Sequence, residues 1–364
     1  LQVYGTGNQT RTFCYITDAI VGFLRVVLMG VAGEAYNIGN PRPEITMLEL
    51  VERIKNIRGG DLAYNVIEYP DSYPADEPNR RAPDIRKAQL QLDAVVSNNP
   101  NTAELVGDNC RVHQDVQSLL NGEKLDGIAI CTPPATHFDI AHDILDAGIP
   151  IFIEKPLTFD PTQADTLVRL AAAVGTWGMV DHIHLFSGAF QKLLTALPDI
   201  GEVTAIKSIA GNAGPVRADA DVLWDWGPHD VAMMLSILNE PVRADSETKS
   251  LPGGAAEVTL RIMFPGDIHA TAVLSNGREN RIREFSVEGT KGTLRYIDGG
   301  PERRCVLETR EKSKTLLVEA AKPLTTALGS FVACIQNVTP PLSNLAFGAE
   351  VVRILAVADG REAL

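Results

Sequence analysis

Three short stretches hold the side chains best suited to chemistry. In Ile151-Phe-Ile-Glu154-Lys155-Pro156 an apolar run ends in a carboxylate, an ammonium and a proline. A lysine directly after a buried parallel strand faces the crevice beyond the strand ends. There its ammonium can hydrogen-bond a hydroxyl and ease its deprotonation as hydride leaves carbon. The same lysine can also simply run from a strand end to water. Cys131-Thr132-Pro133-Pro134-Ala-Thr-His137 reads as a turn opening a helix, where backbone groups meet phosphate and the loop packs on a ring. Alone, it is a proline-rich turn with a threonine cap. Trp224-Asp225-Trp-Gly-Pro-His229-Asp230 offers an imidazole that titrates near neutral pH, with Asp225 placed to orient it or to anchor a hydroxyl. The plainer reading is the start of a helix with His229 tucked into the core. His182 and His184 alternate, so on a strand they face one side; no third ligand is visible, and no metal is expected.

The elements that must position these groups follow from periodicity. Apolar runs at Asp93–Ser97, Gly127–Cys131 and Pro150–Ile153 read as strands. Helices are expected over Asn101–Val106, Val116–Leu120 and Thr136–Ala147, the last with Gly148 just past its end. Strands separated by helices of this length imply parallel βαβ units. The strand ends, Ser97-Asn98, Thr132-Pro133-Pro134 and Glu154-Lys155-Pro156, are expected to meet at one crevice. Beyond Leu157 a helix (Gln163–Val174) precedes apolar runs at Val203–Ile209, Ala256–Phe264, His269–Ser275, Arg283–Glu288 and Gly292–Ile297. The last four, joined by turns such as Asn276-Gly277, suggest an antiparallel sheet. Helices near Asp230–Leu238 and Leu345–Ala358 complete an α+β domain.

Taken in order and spacing, Thr132-Pro133-Pro134-Ala-Thr-His137, Glu154-Lys155-Pro156 and Asp225-x-Gly227-x-His229-Asp230 resemble the Gfo/Idh/MocA family of oxidoreductases. The resemblance runs from about Leu92 to the end. It implies a Rossmann domain, a substrate domain with an open sheet, and NAD or NADP as cofactor. It further implies that Lys155 is the catalytic lysine, His229 the acid/base and Asp225 a substrate-positioning partner. Ser97, Asn98, Thr132, Pro133, Pro134, His137, Glu154 and Lys155 are then the cofactor-binding positions. The usual reaction is oxidation or reduction of a sugar or cyclitol hydroxyl, and family members often self-associate through the open sheet face. The chain departs from the pattern in three places. No strand and G-x-G-x-x-G turn precede Asp93, Ser97 stands where an acidic residue usually holds the ribose, and Leu185-Phe-Ser-Gly188 replaces a common substrate contact.

The first ninety residues read differently. Val3-Tyr-Gly-Thr-Gly through Arg11 to Asp18, Tyr36-Asn-Ile-Gly-Asn-Pro41 and Pro78-Asn-Arg-Arg81-Ala-Pro are similar to the C-terminal part of extended short-chain dehydrogenases acting on nucleotide sugars. That resemblance implies that Arg11 and Arg81 bind a diphosphate, which suits guanidinium geometry. Otherwise both are ordinary surface arginines. The dinucleotide half of that family, with its tyrosine–lysine pair, is not in the sequence.

The expected fold class is therefore α/β plus α+β. An N-terminal α/β fragment (1–91) is followed by an incomplete Rossmann-type parallel sheet (92–156) and an open, largely antiparallel sheet domain (157–364). The stretch Asp71–Asp84, rich in proline and charge, reads as a linker. A net charge of −13 disfavours nucleic acid or an anionic membrane as the main partner. Five scattered cysteines without a CxxC indicate neither a disulfide framework nor zinc, and a reducing cytoplasm is expected. The apolar stretch Ile16–Val31 holds Asp18 and Arg25 and reads as a buried helix. The first residue, Leu rather than Met, hints at an incomplete chain. The expected activity is hydride transfer between a sugar or nucleotide sugar and nicotinamide, in a homo-oligomer. A catalytically inactive remnant or binding module is the alternative, because the pyrophosphate turn is missing. A nucleotide-sugar decarboxylase or epimerase is a further one.

Overall fold

The computed structural model describes residues 1–16, 19–20, 23, 38–39, 43–58, 63–68, 80–81, 92–99, 101–106, 110–213, 220–300, 302–318, 322–335 and 341–362. The chain divides into two compact units, Leu1–His113 and Gln114–Leu364.

The first unit is built from very short strands. β1 (Gln2–Tyr4) pairs in parallel with β4 (Asn65–Ile67). β2 (Thr10–Thr12) lies between antiparallel β3 (Glu44–Thr46) and parallel β5 (Arg80–Arg81), with Arg11 in register with Arg81. Helix α1 (Met47–Arg58) starts on a reciprocal cap: Glu49 N–H donates to Thr46 Oγ1 at 3.0 Å and Thr46 N–H to Glu49 Oε2 at 2.7 Å. β6 (Ala94–Val96), helix α2 (Thr102–Val106) and parallel β7 (Arg111–His113) close the unit, although the sequence assigned them to the parallel domain. Of the helix expected over Ile16–Val31, only Ile16, Ala19, Ile20 and Phe23 are described, and Ile16 and Phe23 are exposed rather than buried. Most of Tyr36–Pro41 and of the linker Asp71–Asp84 lies outside the described residues.

The second unit opens with α3 (Val116–Gly122). A parallel sheet of order β10-β9-β8 follows, made by β8 (Ile128–Ile130), β9 (Ile151–Glu154) and β10 (Gly178–Asp181). Helix α4 (His137–Asp146) joins β8 to β9, and Gly148, at φ 76°, takes the left-handed turn that leaves it. Helix α5 (Pro161–Val174) joins β9 to β10. It is capped by Asp160, carries proline in its first turn and ends at left-handed Gly175, so local sequence fixes both ends. β9 is buried along its apolar length (Ile151, Phe152, Ile153), as a central parallel strand should be.

Helix α6 (Gly188–Ala196) leads into an eight-stranded sheet of order β12-β13-β14-β11-β15-β16-β17-β18. Its strands are β11 (Val203–Ala213), β12 (Arg243–Ser250), β13 (Ala256–Phe264), β14 (Ile268–Ser275), β15 (Gly277–Gly289), β16 (Gly292–Ile297), β17 (Arg304–Thr309) and β18 (Ser313–Leu316). Every neighbouring pair is antiparallel except β11 with β14. Alternate residues such as Val258, Leu260, Ile262 and Phe264 are buried on one face, the period-two pattern of a half-covered sheet. Polar residues carry ion pairs along these strands, among them Lys207–Glu288 and Arg295 with Glu284 and Glu308. Helix α7 (Val222–Leu235) packs on β11, β13 and β14. Helix α8 (Pro323–Ile335) packs near Ile183–Phe186. The last helix, α9 (Leu345–Ala358), is wedged against α5, α7 and β10. Among the described residues no helix is long and apolar enough to cross a membrane.

Candidate active site

The site is built where the carboxyl ends of β8–β10 and helix α7 come together within the second unit. Two differences from the sequence reading decide its shape. The motif Trp224–Asp230 does not precede a helix but lies inside α7, which starts at Val222, capped by Asp221 accepting from Trp224 N–H at 3.0 Å. Also, β10 ends at Asp181, so His182 and His184 do not share a strand face. His182 precedes a single tight turn, Ile183–Phe186, that carries His184.

Helix α7 is anchored by its apolar side chains. Trp224 is 2 % exposed, and its Nε1–H donates to Asp359 Oδ2 at 3.1 Å. Gly227 allows close approach, since a Cβ there would meet Leu355 Cδ2 at 2.8 Å. Pro228 has no N–H, so the Trp224 carbonyl loses its usual helical donor. The next carbonyl, of Asp225, accepts a hydrogen bond from Lys155 Nζ at 2.6 Å, and the Asp225 carboxylate lies 3.2 Å from the same ammonium. One ammonium is thus held by two oxygens of one residue across two elements. Lys155 retains only 14 % side-chain exposure.

One helical turn after Asp225, His229 occupies the same side of α7. Its Nδ1 is buried and has no partner among the described residues. Its ring meets His184 edge-on, with centroids 4.9 Å apart. Burial, then the positive charge of Lys155, then His184, Arg283 and His182 push the His229 pKa well below the ordinary imidazole range. His184 is depressed in the same direction by burial and by Arg283, Arg281, Arg303 and Lys155. Its Nδ1 lies 2.9 Å from Tyr296 Oη, which donates to Asp298 Oδ2 at 3.1 Å. Burial and Asp298 hold the Tyr296 phenol protonated to unusually high pH.

A pocket of about 300 Å³ opens beside these rings. His184, Trp226, His229, Asp298 and three arginines, Arg281, Arg283 and Arg303, are among its walls. None of the arginines, nor Asp298, Tyr296 or Asp181, stood out in the sequence. The alternation Arg281-x-Arg283 on a strand was the available signal, since it puts both guanidiniums on one face.

At the strand ends, Thr132 and Pro133 are exposed and Pro134 is buried. Thr136 Oγ1 donates to the Pro133 carbonyl at 2.8 Å and lies as close to Thr132 Oγ1. His137 does not reach the surface. It is fully buried, with Nδ1 2.9 Å from the Pro156 carbonyl and Nε2 3.0 Å from that of Thr132, so its ring sits between the two loops. Glu154 is in register with Asp181 on the neighbouring strand. Burial, then the Glu154 charge, raise the Asp181 pKa to about 8, against a lowering by Lys155. Burial and Lys155 lower His182 to about 3.

Asp181 Oδ1 and His182 Nε2 are both buried and without partners among the described residues. The strand ends therefore keep unmet hydrogen-bonding capacity where the nicotinamide end of a dinucleotide would lie, and these residues fit that end. For the pyrophosphate, the sequence holds no G-x-G-x-x-G turn.

Ser97 and Asn98 follow β6 in the first unit. Ser97 Oγ accepts from Thr102 Oγ1 at 2.7 Å and from Asn99 N–H at 3.1 Å. Arg11 also belongs there, and its Nη1 donates to the Thr10 carbonyl at 2.8 Å. Arg81 is described by its backbone pairing alone. Among the described residues no group of three or more His, Cys, Asp or Glu could hold a metal.

Comparison with known proteins bears on this geometry. Residues 78–182 match the family described as an oxidoreductase family with an NAD-binding Rossmann fold. The crystal structure of a protein assigned as an oxidoreductase from Magnetospirillum magnetotacticum MS-1 is 31% identical. It superposes with a TM-score of 0.69, covering 75% of this chain and 92% of that one. UDP-N-acetylglucosamine 3-dehydrogenase of Acidithiobacillus ferrooxidans is 32% identical over 155 residues, 42% of this chain and 49% of the relative. A further match, 40% identical over 93 residues, is to UDP-glucuronic acid decarboxylase 1 of Arabidopsis thaliana; it covers 26% of this chain and 20% of that protein. The chain thus spans a fifth to a half of the length of these two curated relatives.

Proposed function

We propose that this chain, which belongs to the Gfo/Idh/MocA family of oxidoreductases, transfers hydride between the carbinol carbon of a sugar or nucleotide sugar and NAD or NADP. The bound nicotinamide supplies the hydride acceptor or donor. Lys155 donates a hydrogen bond to the reacting oxygen and stabilises the charge that develops on it. Asp225 holds that ammonium at the strand end and gives up its carboxylate contact as the substrate arrives. His229, held neutral, takes the hydroxyl proton during oxidation and returns it during reduction. Thr132, Pro133, Pro134, Glu154 and Lys155 line the nicotinamide end of the cofactor site, and His137 sets the spacing of their loops.

The observation that carries this reading is the pairing of Lys155 Nζ with the Asp225 backbone carbonyl and its carboxylate Oδ1, with His229 on the same side of the helix. The dehydrogenase among the matched relatives favours a sugar nucleotide as one class of substrate. An inactive remnant gains no support from these matches. The decarboxylase reading rests on a match to a fifth of that protein. Self-association through the open face of the eight-stranded sheet belongs to the same proposal and is checked by sedimentation equilibrium.

The test is a titration with NADH and NADPH followed by nicotinamide fluorescence, then turnover with a panel of sugars and UDP-sugars. Micromolar cofactor binding and turnover that falls about 10²–10⁴-fold in Lys155→Ala are expected. Unchanged turnover in that variant overturns the mechanism, and no binding at millimolar cofactor overturns the function.

A further inference from the structure

Beside His229 the described residues carry an excess of positive charge that hydride transfer to a neutral sugar does not use. Arg281, Arg283 and Arg303 all line the 300 Å³ pocket. Two carboxylates answer them. Asp230, at 0% exposure, accepts from Arg283 Nη1 at 2.7 Å, and Asp298 lies 3.1 Å from Arg303 Nε and 3.9 Å from Arg281. With the histidines neutral, three guanidinium cations face two carboxylates, which leaves one positive charge without a counterpart among these groups. Lys155 does not supply the balance, since it is a further cation already paired with Asp225.

Of the three guanidiniums Arg283 is the buried one. Its side chain is 2% exposed, and one arm of its fork is spent on Asp230. The other, Nη2, is buried and has no partner among the described residues. A buried, unpaired guanidinium nitrogen costs more than any other unmet donor in the site, because it carries part of a full charge. The plane of the fork is fixed by Trp226, whose ring centroid lies 5.6 Å from Arg283 Cζ and which also lines the pocket. A fixed, planar, cationic donor suits the oxygens of a carboxylate or phosphate and is wasted on a hydroxyl.

We infer that the sugar accepted here carries an oxyanion close to the reacting carbon, and that Arg283 receives it with Arg281 and Arg303 closing around it. The pocket lies at the lower end of ligand-site volumes, enough for one sugar ring and its acid group, so any nucleotide attached to that ring lies outside it. This inference rests on the reading of the pocket as the substrate site. It adds that a neutral sugar leaves Arg283 Nη2 unpaired and binds on the order of 10- to 100-fold more weakly than its acidic counterpart.

The experiment is isothermal titration calorimetry of the full chain without cofactor, using D-glucuronate, D-glucose 6-phosphate and D-glucose. At least one anion is expected to bind tenfold or more tightly than glucose. Which anion it is decides between carboxylate and phosphate. Arg283→Gln also disturbs the buried pair with Asp230, so Arg281→Ala and Arg303→Ala, whose side chains are 61% and 38% exposed, are measured as well. Both are expected to lower anion affinity tenfold or more relative to that for glucose. Equal affinity for all three sugars, including none, overturns the inference, as does an anion preference that survives Arg303→Ala. Equal affinity in a chain that still transfers hydride removes this inference alone. Anion binding in a chain that binds no cofactor removes the oxidoreductase reading alone.

Discussion

Asp225 and Asp230 lie on the same helix, each holds a cation, and their surroundings give them opposite duties. Asp225 keeps 23% side-chain exposure and shares Lys155 with its own backbone carbonyl. Asp230 has no exposure, binds Arg283 Nη1 and accepts a hydrogen bond from the Ser208 hydroxyl. An ion pair at the edge of water can exchange a partner for substrate at small cost. One sealed in the core cannot give up its partner, because each charge is stranded without the other. The accessible pair can therefore part during turnover, while the sealed one stays closed, fixes α7 to the sheet and leaves only Arg283 Nη2 for an anion.

The comparison is tested hardest at the sealed end. Asp230→Ala strands the Arg283 cation and is expected to cost about 3–5 kcal/mol, read as a lower urea midpoint; a loss below about 1 kcal/mol removes the distinction. The next effect in size comes from pH. His182, His184 and His229 are all held below the ordinary 6.5, so as pH falls through 6.5 the unfolded chain takes up protons that the folded one refuses, and stability drops. Asp181 works the other way. With its pKa raised from 3.8 to about 8, the folded chain keeps a proton that the unfolded one releases, so its contribution is full below 3.8 and is lost as pH rises to about 8. Three histidines outweigh one aspartate on the acid side, and the aspartate acts alone above it. As far as these four groups go, stability peaks just above pH 6.5, and Asp181→Asn flattens the decline toward pH 8 in urea titrations. The smallest effect sharpens the accessible end. Asp225→Asn leaves the backbone carbonyl on Lys155 at 2.6 Å and is expected to lower turnover by no more than about tenfold, far less than Lys155→Ala.

Much of the second unit could be read from sequence because its signals are local. Strands Ala256–Phe264 and Gly292–Ile297 and helix Leu345–Ala358 lie where periodicity put them, the helix capped by Asn344 accepting from Phe347 N–H at 2.8 Å. The helix expected near Asp230–Leu238 starts earlier, at Val222, and takes Gly227 and Pro228, residues that usually interrupt a helix, into its interior. In the fold, that glycine is the contact with Leu355 and that proline sits within the helix. Lys155 and His229 were visible because each belongs to a compact motif. The arginine pocket was not, since Arg281 and Arg283 come to Asp298 through the register of β15 with β16. That register continues into the bond from Asp298 N–H to the Arg283 carbonyl at 2.8 Å, a pairing no local pattern announces. The first unit, with three-residue strands such as β1, β2 and β3, offers too little periodicity for the same treatment.

His137 sits between the Thr132 and Pro156 carbonyls, one ring nitrogen facing each, so the gap between the β8 and β9 loops is gauged by the width of one imidazole. That dimension is set by a replaceable side chain and not by the main chain. Position 137 is thus a spacer: a longer or shorter amide there would reset how wide the strand-end rim stands, without altering any group that does the chemistry.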